Sequence, residues 1–215
     1  MLKSIFVGLL SALFGFVFFL FMYKNNQIDL KQAETSLASY ITSANSTQKL
    51  VLFEVNAVEK IKRTESLNPL WSLISSAQLN VEMLVPVQYS FYIDLQDKLS
   101  LEYQNSVLVV TAPSLMSSQP APDISGISFS VKEAPFFYDV RKVEDQIRAK
   151  LTPYLIERSE SLKLTYEVEA AESLKKLVKR WMSTDENFMN KPEIAIQVKF
   201  APAKSGPSIS PHAHQ

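Results

Sequence analysis

The chain has no cysteine among its 215 residues. An acylated lipoprotein is thereby excluded, and an oxidising compartment is allowed without being required. There are two histidines, His212 and His214, both near the C-terminus. They fall in a stretch that reads as a disordered tail, where nothing fixes them around one metal ion. No other histidine is available to the rest of the chain as a general base. Nor is there a charge excess: 22 basic residues balance 22 acidic ones. Nucleic-acid binding draws much of its affinity from neutralising phosphates, so a chain of zero net charge is a poor candidate for it. No internal repeat and no constellation of catalytic residues stands out.

What is present is an unbroken apolar run from Ile5 to Tyr23, IFVGLLSALFGFVFFLFMY, flanked by Lys3 and Lys24. At about 1.5 Å per helical residue it matches most of a ~30 Å hydrocarbon core. A cleaved signal peptide has an apolar region of ~7–15 residues followed by small residues at the cleavage site. This run instead passes directly into Phe21, Met22, Tyr23 and Lys24. The expectation is an uncleaved, single-pass anchor over residues 1–24. A short cationic tail retained inside places the rest of the chain outside the inner membrane, in the periplasm or the extracellular space. Gly8 with Ala12, and Ser11 with Gly15, form two small-xxx-small pairs on one face of the span. These four are candidate helix–helix interface residues.

Residues 25–48 are polar, with Leu30, Ala33, Leu37, Tyr40 and Ile41 at helical spacing. They are expected to form a juxtamembrane helix or stalk that pairs with a partner or packs on its own domain. The period then changes. Lys49 to Lys62 is rich in β-branched and aromatic residues, with Val51, Phe53, Val55 and Ala57 on one face of a strand. Leu70 to Leu79 reads as a short helix. Val85, Val87, Tyr89, Phe91 and Ile93 alternate with Pro86, Gln88, Ser90, Tyr92 and Asp94, which signals a strand with one buried face. Pro86 points to an edge position or to the strand's start. Turns at Gln96-Asp97-Lys98 and Gln104-Asn105 make residues 85–112 an antiparallel meander. Pro113 to Ser125 reads as a loop, and Ile127, Phe129 and Val131 as a strand.

Asp139 is placed to cap a helix carrying Val140, Val143, Ile147 and Leu151, which Pro153 should kink or end. A second helix carries Leu162, Tyr166, Ala170, Leu174, Leu177 and Trp181. Ile194, Ile196, Val198 and Phe200 form a last strand, and residues 202–215 a disordered tail. The fold class is α+β: one transmembrane helix, then an antiparallel sheet packed with long C-terminal helices, in a domain spanning residues 49–201.

The segment VPVQYSFYIDLQDKLSLEYQNSVLVVTAPSL, residues 85–115, resembles the core of an uncharacterised bacterial family, domain of unknown function 4230. Asp94-Leu95 and Thr111-Ala112-Pro113 sit where that pattern places them. Tyr92 stands where the family usually has glycine. The resemblance extends over about residues 50–200. It implies an anchored extracytoplasmic domain and no particular chemistry or cofactor.

Asp94 and Asp97 offer a carboxylate pair for acid–base work or cation binding. Aspartates beside turns more often accept local backbone N–H groups. Lys175, Lys176, Lys179 and Arg180 cluster at a helix end and are candidate contacts for an anionic partner. Interaction with the helix dipole and pairing of Glu172 with Lys176 account for them more simply, since last-turn cations are common. Trp71 and Trp181 read as core or groove residues, and Phe136-Phe137-Tyr138 as a buried junction. The function classes are thus a non-enzymatic, partner-binding or self-associating scaffold of the cell envelope, a structural subunit of a secretion or pilus-type platform, and, last, an anchored enzyme. The partners expected are the membrane and a protein, with no nucleic acid and no cofactor.

Overall fold

The computed structural model describes residues 16, 28–44, 48–66, 78–135, 138–188 and 194–202. The expected anchor, with Gly8, Ser11, Ala12 and Gly15, lies outside these residues apart from Phe16. So do Trp71, Phe136, Phe137 and the tail from residue 203. Among the described residues no helix is long and apolar enough to cross a membrane.

Helix α1 (Leu30–Ala44) starts at Asp29, whose carboxylate accepts the N–H groups of Lys31 and Gln32 at 3.1 Å. This satisfies two of the orphan donors of its first turn. Ala33, Leu37 and Ile41 recur every four residues and are fully buried. The stripe read from the sequence is therefore packed into the domain core.

Two long strands dominate the larger sheet. Strand β1 (Lys49–Ser66) pairs antiparallel with β2 (Gln78–Asp94) along its whole length. In β2 every odd residue from Leu79 to Ile93 is buried. This is the period-2 pattern of a strand with one face on the core. The pairing in β1 is interrupted by a bulge between Val51 and Phe53. An extra residue reverses which parity faces inward. Leu50 is buried before the bulge, and Phe53, Val55 and Ala57 turn inward after it, while Val51, expected on their face, is 48% exposed. Gln78 and Leu79, read as a helix end, begin β2; the rest of that expected helix lies outside the described residues.

The expected meander divides into two sheets. β3 (Ser100–Gln104) and β4 (Val107–Ala112) form a hairpin that does not join β2. The free side of β2 is taken by β5 (Met116–Ser117), β6 (Ala121–Pro122) and β7 (Ser128–Glu133), all antiparallel. The hairpin turn is Asn105-Ser106, with φ of 50° and 64°. Both are left-handed, as a two-residue turn matched to strand twist requires. β4 is flanked on its other side by β8 (Ala195–Phe200), and that pair is parallel, a departure from the all-antiparallel expectation.

Pro86 is neither at an edge nor at a strand start. It lies mid-way along β2, with β1 on one side. Its carbonyl accepts the Asp123 N–H at 2.9 Å on the other side, so its ring nitrogen faces that side too. There the third strand is broken between β6 and β7 by a short 3₁₀ turn, Ile124–Gly126. No ladder donor is therefore demanded of the proline. Gly126 closes against it: a Cβ at that position would stand 2.9 Å from the Pro86 ring and from an Asp123 carboxylate oxygen.

Asp139 caps α2 (Val140–Thr165) as expected, accepting from the N–H groups of Arg141 and Lys142. The helix does not end at Pro153. Proline costs one bond to the carbonyl four residues back. That residue, Ala149, is exposed, so water replaces the lost donor, while Val143, Ile147, Leu151, Leu155 and Leu162 hold the helix on the core through the interruption. The break falls at Tyr166, which joins α2 to α3 (Glu167–Met182) and sets its ring 5.2 Å from Phe53. Helix α3 buries Ala170, Leu174, Val178 and Trp181, so Leu162 and Tyr166 precede its stripe. The result is an α+β fold. α2 and α3 cover the inner face of the larger sheet, and α3 also meets β8 and α1.

Candidate functional site

Four candidate features emerge, two of them polar clusters. The first surrounds Glu59, a carboxylate on the inward face of β1 between Ala57 and Ile61, where the alternation calls for an apolar side chain. It is only 8% exposed. Its Oε1 accepts from the Tyr89 hydroxyl at 3.2 Å and from Arg158 Nε at 3.3 Å, and its Oε2 from the Tyr154 hydroxyl at 3.4 Å. An ionised carboxylate is tolerable at such depth only when paired and hydrogen-bonded. Burial first, then the Glu59 charge, pushes the Tyr89 phenol well above its ordinary range and raises that of Tyr154, so both remain donors. Both carboxylate oxygens are engaged by donors on β2 and α2. The cluster staples helix to sheet, with two donors on Oε1 and one on Oε2. Beside it, Ile61, Arg63, Gln146, Ile147, Lys150 and Tyr154 line a cleft of about 350 Å³ between β1 and α2. Arg63 is paired with Glu65 at that point.

The second cluster ties α1 to the end of α3. The Trp181 indole N–H donates to Ser36 Oγ at 3.1 Å, and Ser36 in turn donates to Asp185. Asp185 also accepts from the Asn187 backbone and side-chain amides at 3.0 Å. Phe188 packs edge-on to Trp181, with ring centroids 5.1 Å apart. Trp181 is 1% exposed, a core residue with its polar atom satisfied.

Asp94 and Asp97 do not converge. Asp94 Oδ1 accepts the Gln96 N–H at 2.9 Å within the turn, while Asp97 faces a separate depression of about 380 Å³ lined also by Lys31 and Glu34. Among the described residues no group of three or more His, Asp or Glu side chains could hold a metal ion. The cationic strip lies on α3: Lys176, Lys179 and Arg180 are exposed and Lys175 is half-buried. The partner of Glu172 is Lys175 at 3.0 Å, one residue earlier than the expected Lys176. Both i,i+3 and i,i+4 neighbours lie within reach on a helix.

The fourth feature is the outer edge of β1. Pro86 and Ser90 direct their carbonyls away from β1, toward Asp123 and Ser118. Their partners, Val58 and Glu54, must therefore be non-hydrogen-bonded pairs, with their own peptide groups turned away from β2. The same parity applies to Asn56, Lys60, Lys62 and Thr64. Among the described residues these peptide groups meet no strand on that side. All six side chains are exposed on the outer face of the sheet, Val58 to 62%. An open edge of this length is a template for another strand. The sequence signalled the strand; it did not signal which edge would stay bare, because that depends on β5, β6 and β7 all pairing with β2.

The chain matches no protein-family model, no curated protein and no solved structure.

Proposed function

We propose that the chain is a single-pass, membrane-anchored, non-enzymatic interaction protein of the cell envelope, and that its extracytoplasmic α+β domain takes up a protein partner by strand addition along β1. The observation that carries this reading is the outward row of peptide groups from Glu54 to Thr64. Main-chain bonding along such a row supplies affinity, and the alternate side chains supply specificity. The apolar run at residues 5–23 has the length of a span and supports the anchor. The resemblance to domain of unknown function 4230 points to the same placement. The three donors that hold Glu59 support a structural role for this buried carboxylate, which favours binding over catalysis.

The test is a tagged full-length chain, with a compartment-sensitive reporter after Gln215, cross-linked and purified from membranes. The expected result is an exported C-terminus and a stoichiometric protein on β1. Val58→Pro removes an outward donor and leaves the β1–β2 ladder intact, so it should abolish capture with no change in melting temperature. Ala57→Pro, one residue away, removes a donor of that ladder and should cost ~1–3 kcal/mol of stability. A cytoplasmic reporter signal would overturn the placement. Capture indifferent to Val58→Pro would overturn the strand-addition surface.

A further inference from the structure

We infer that the strand added to β1 is β1 of a second copy of this chain, antiparallel, with Val58 of each copy on the two-fold axis. This rests on the strand-addition reading and names its partner. The outward peptide groups belong to even-numbered residues, so a symmetric pair must match even with even. Centred on Val58, the register sets Val58 against Val58, Asn56 against Lys60, and Glu54 against Lys62, each of the latter two pairs occurring twice. The five outward residues from Glu54 to Lys62 then exchange about ten backbone hydrogen bonds, two for each facing pair. That equals the number in a typical stable protein interface.

Charge and burial select this register. Opposite charges directly across a strand pair are favourable and like charges are not. Glu54 and Lys62 meet as opposites at both ends. Lysines on an edge normally discourage pairing. Here Lys60 is already held by Glu82 at 2.9 Å, and Lys62 lies opposite the same carboxylate across β1 and β2. The cationic half of the edge is therefore compensated from within its own sheet. Val58, among the most exposed large apolar side chains described, acquires its own counterpart as a neighbour. The bulge at Leu52 ends the regular edge just beyond Glu54 and sets the outer limit of the pairing.

The experiment uses the full chain in mild detergent, its mass measured by light scattering with detergent subtracted, together with oxidative cross-linking. Because the chain has no cysteine, a single introduced one reports cleanly. A two-fold partner brings Val58→Cys against itself within disulfide range and yields a covalent dimer. Asn56→Cys and Lys60→Cys should link only when the two variants are mixed. Glu54→Lys and Lys62→Glu should each weaken dimerisation by about tenfold, and the double reversal should restore it. Unchanged thermal unfolding of each variant shows that the fold is intact. A monomeric wild type with no Val58→Cys cross-link would overturn the second copy as occupant. If such a monomer still captured another protein in a Val58→Pro-sensitive way, strand addition would stand with a different partner. If it captured nothing, both readings would fall. A dimer that persists in Val58→Pro, or links through other positions, would place self-association elsewhere and also overturn the inference.

Discussion

The two long strands of the larger sheet are nearly equal in length and lie side by side, yet they obey different rules. β2 is central, flanked by β1 on one side and by three short strands on the other. Its inward residues, Leu79 to Ile93, form a continuous buried column. Among the described residues β1 has one partner strand, and its inward column is mixed: Phe53, Val55, Ala57 and Ile61 share it with Glu59, Arg63 and Glu65. A strand sealed on both edges can rely on apolar burial alone. A strand with an open edge borders water, and of its inward polar groups Glu59 takes Tyr154 and Arg158 of α2, while Glu65 takes Arg63 and Tyr138. The difference shows that β1 is held by one ladder and a few specific hydrogen bonds, which leaves its other edge available.

That contrast is sharpest where removal of volume is compared with removal of a bond. Phe91→Ala, in the sealed column, should cost about 3–5 kcal/mol, readable as a lowered urea midpoint with an unchanged slope. A smaller loss would mean that the β2 column is looser than its burial indicates. Tyr89→Phe keeps the ring and deletes one donor to Glu59, for an expected ~1–3 kcal/mol. The same variant carries a pH signature. The Tyr89 and Tyr154 phenols are raised in the folded state from an ordinary value of 10.0. The stability that comes from keeping them protonated is complete below pH 10 and is lost as pH rises through that value toward the folded one. Tyr89→Phe should therefore flatten the alkaline limb of a stability–pH profile, and an unaltered limb would remove Tyr89 from the account. The smallest effect belongs to the open edge. Val58→Ala should change stability by no more than about 0.5 kcal/mol, while reducing the self-association measured by light scattering.

Much of the element pattern was legible. The alternation of β2, the Asp139 cap and the apolar stripe of α1 are local patterns with local causes, and the structure keeps them. The misreadings have non-local causes. Pro86 was placed at an edge or at the strand's start because the gap in the opposing strand that excuses it is made by residues 123–126, nearly forty positions later. Val51 was placed inward because a one-residue bulge leaves no mark in an alternating apolar run. Pro153 was expected to kink or end its helix, and the helix does not end there because the packing that carries α2 through it comes from the core. Glu59 was overlooked although it interrupts its own strand's pattern. An acidic residue on an apolar face is the available signal, but its donors come from residues 89, 154 and 158 and cannot be counted from position 59. The bare edge of β1 was invisible for a similar reason, since an edge is defined by which strands go elsewhere.

The bond from Ser36 to Asp185 joins residues 149 positions apart, and β8 completes its sheet beside β4 from the far end of the chain. During synthesis the first helix of the domain therefore waits for the last. Contacts that close such long loops form late and slowly. In that interval β4 lacks its parallel neighbour, α1 lacks its clasp, and two unpaired edges face the surroundings together, the condition under which partly folded chains pair wrongly. A chain that stops before residue 195 never leaves that interval. Its β4 keeps a bare edge where Ala195–Phe200 would pair.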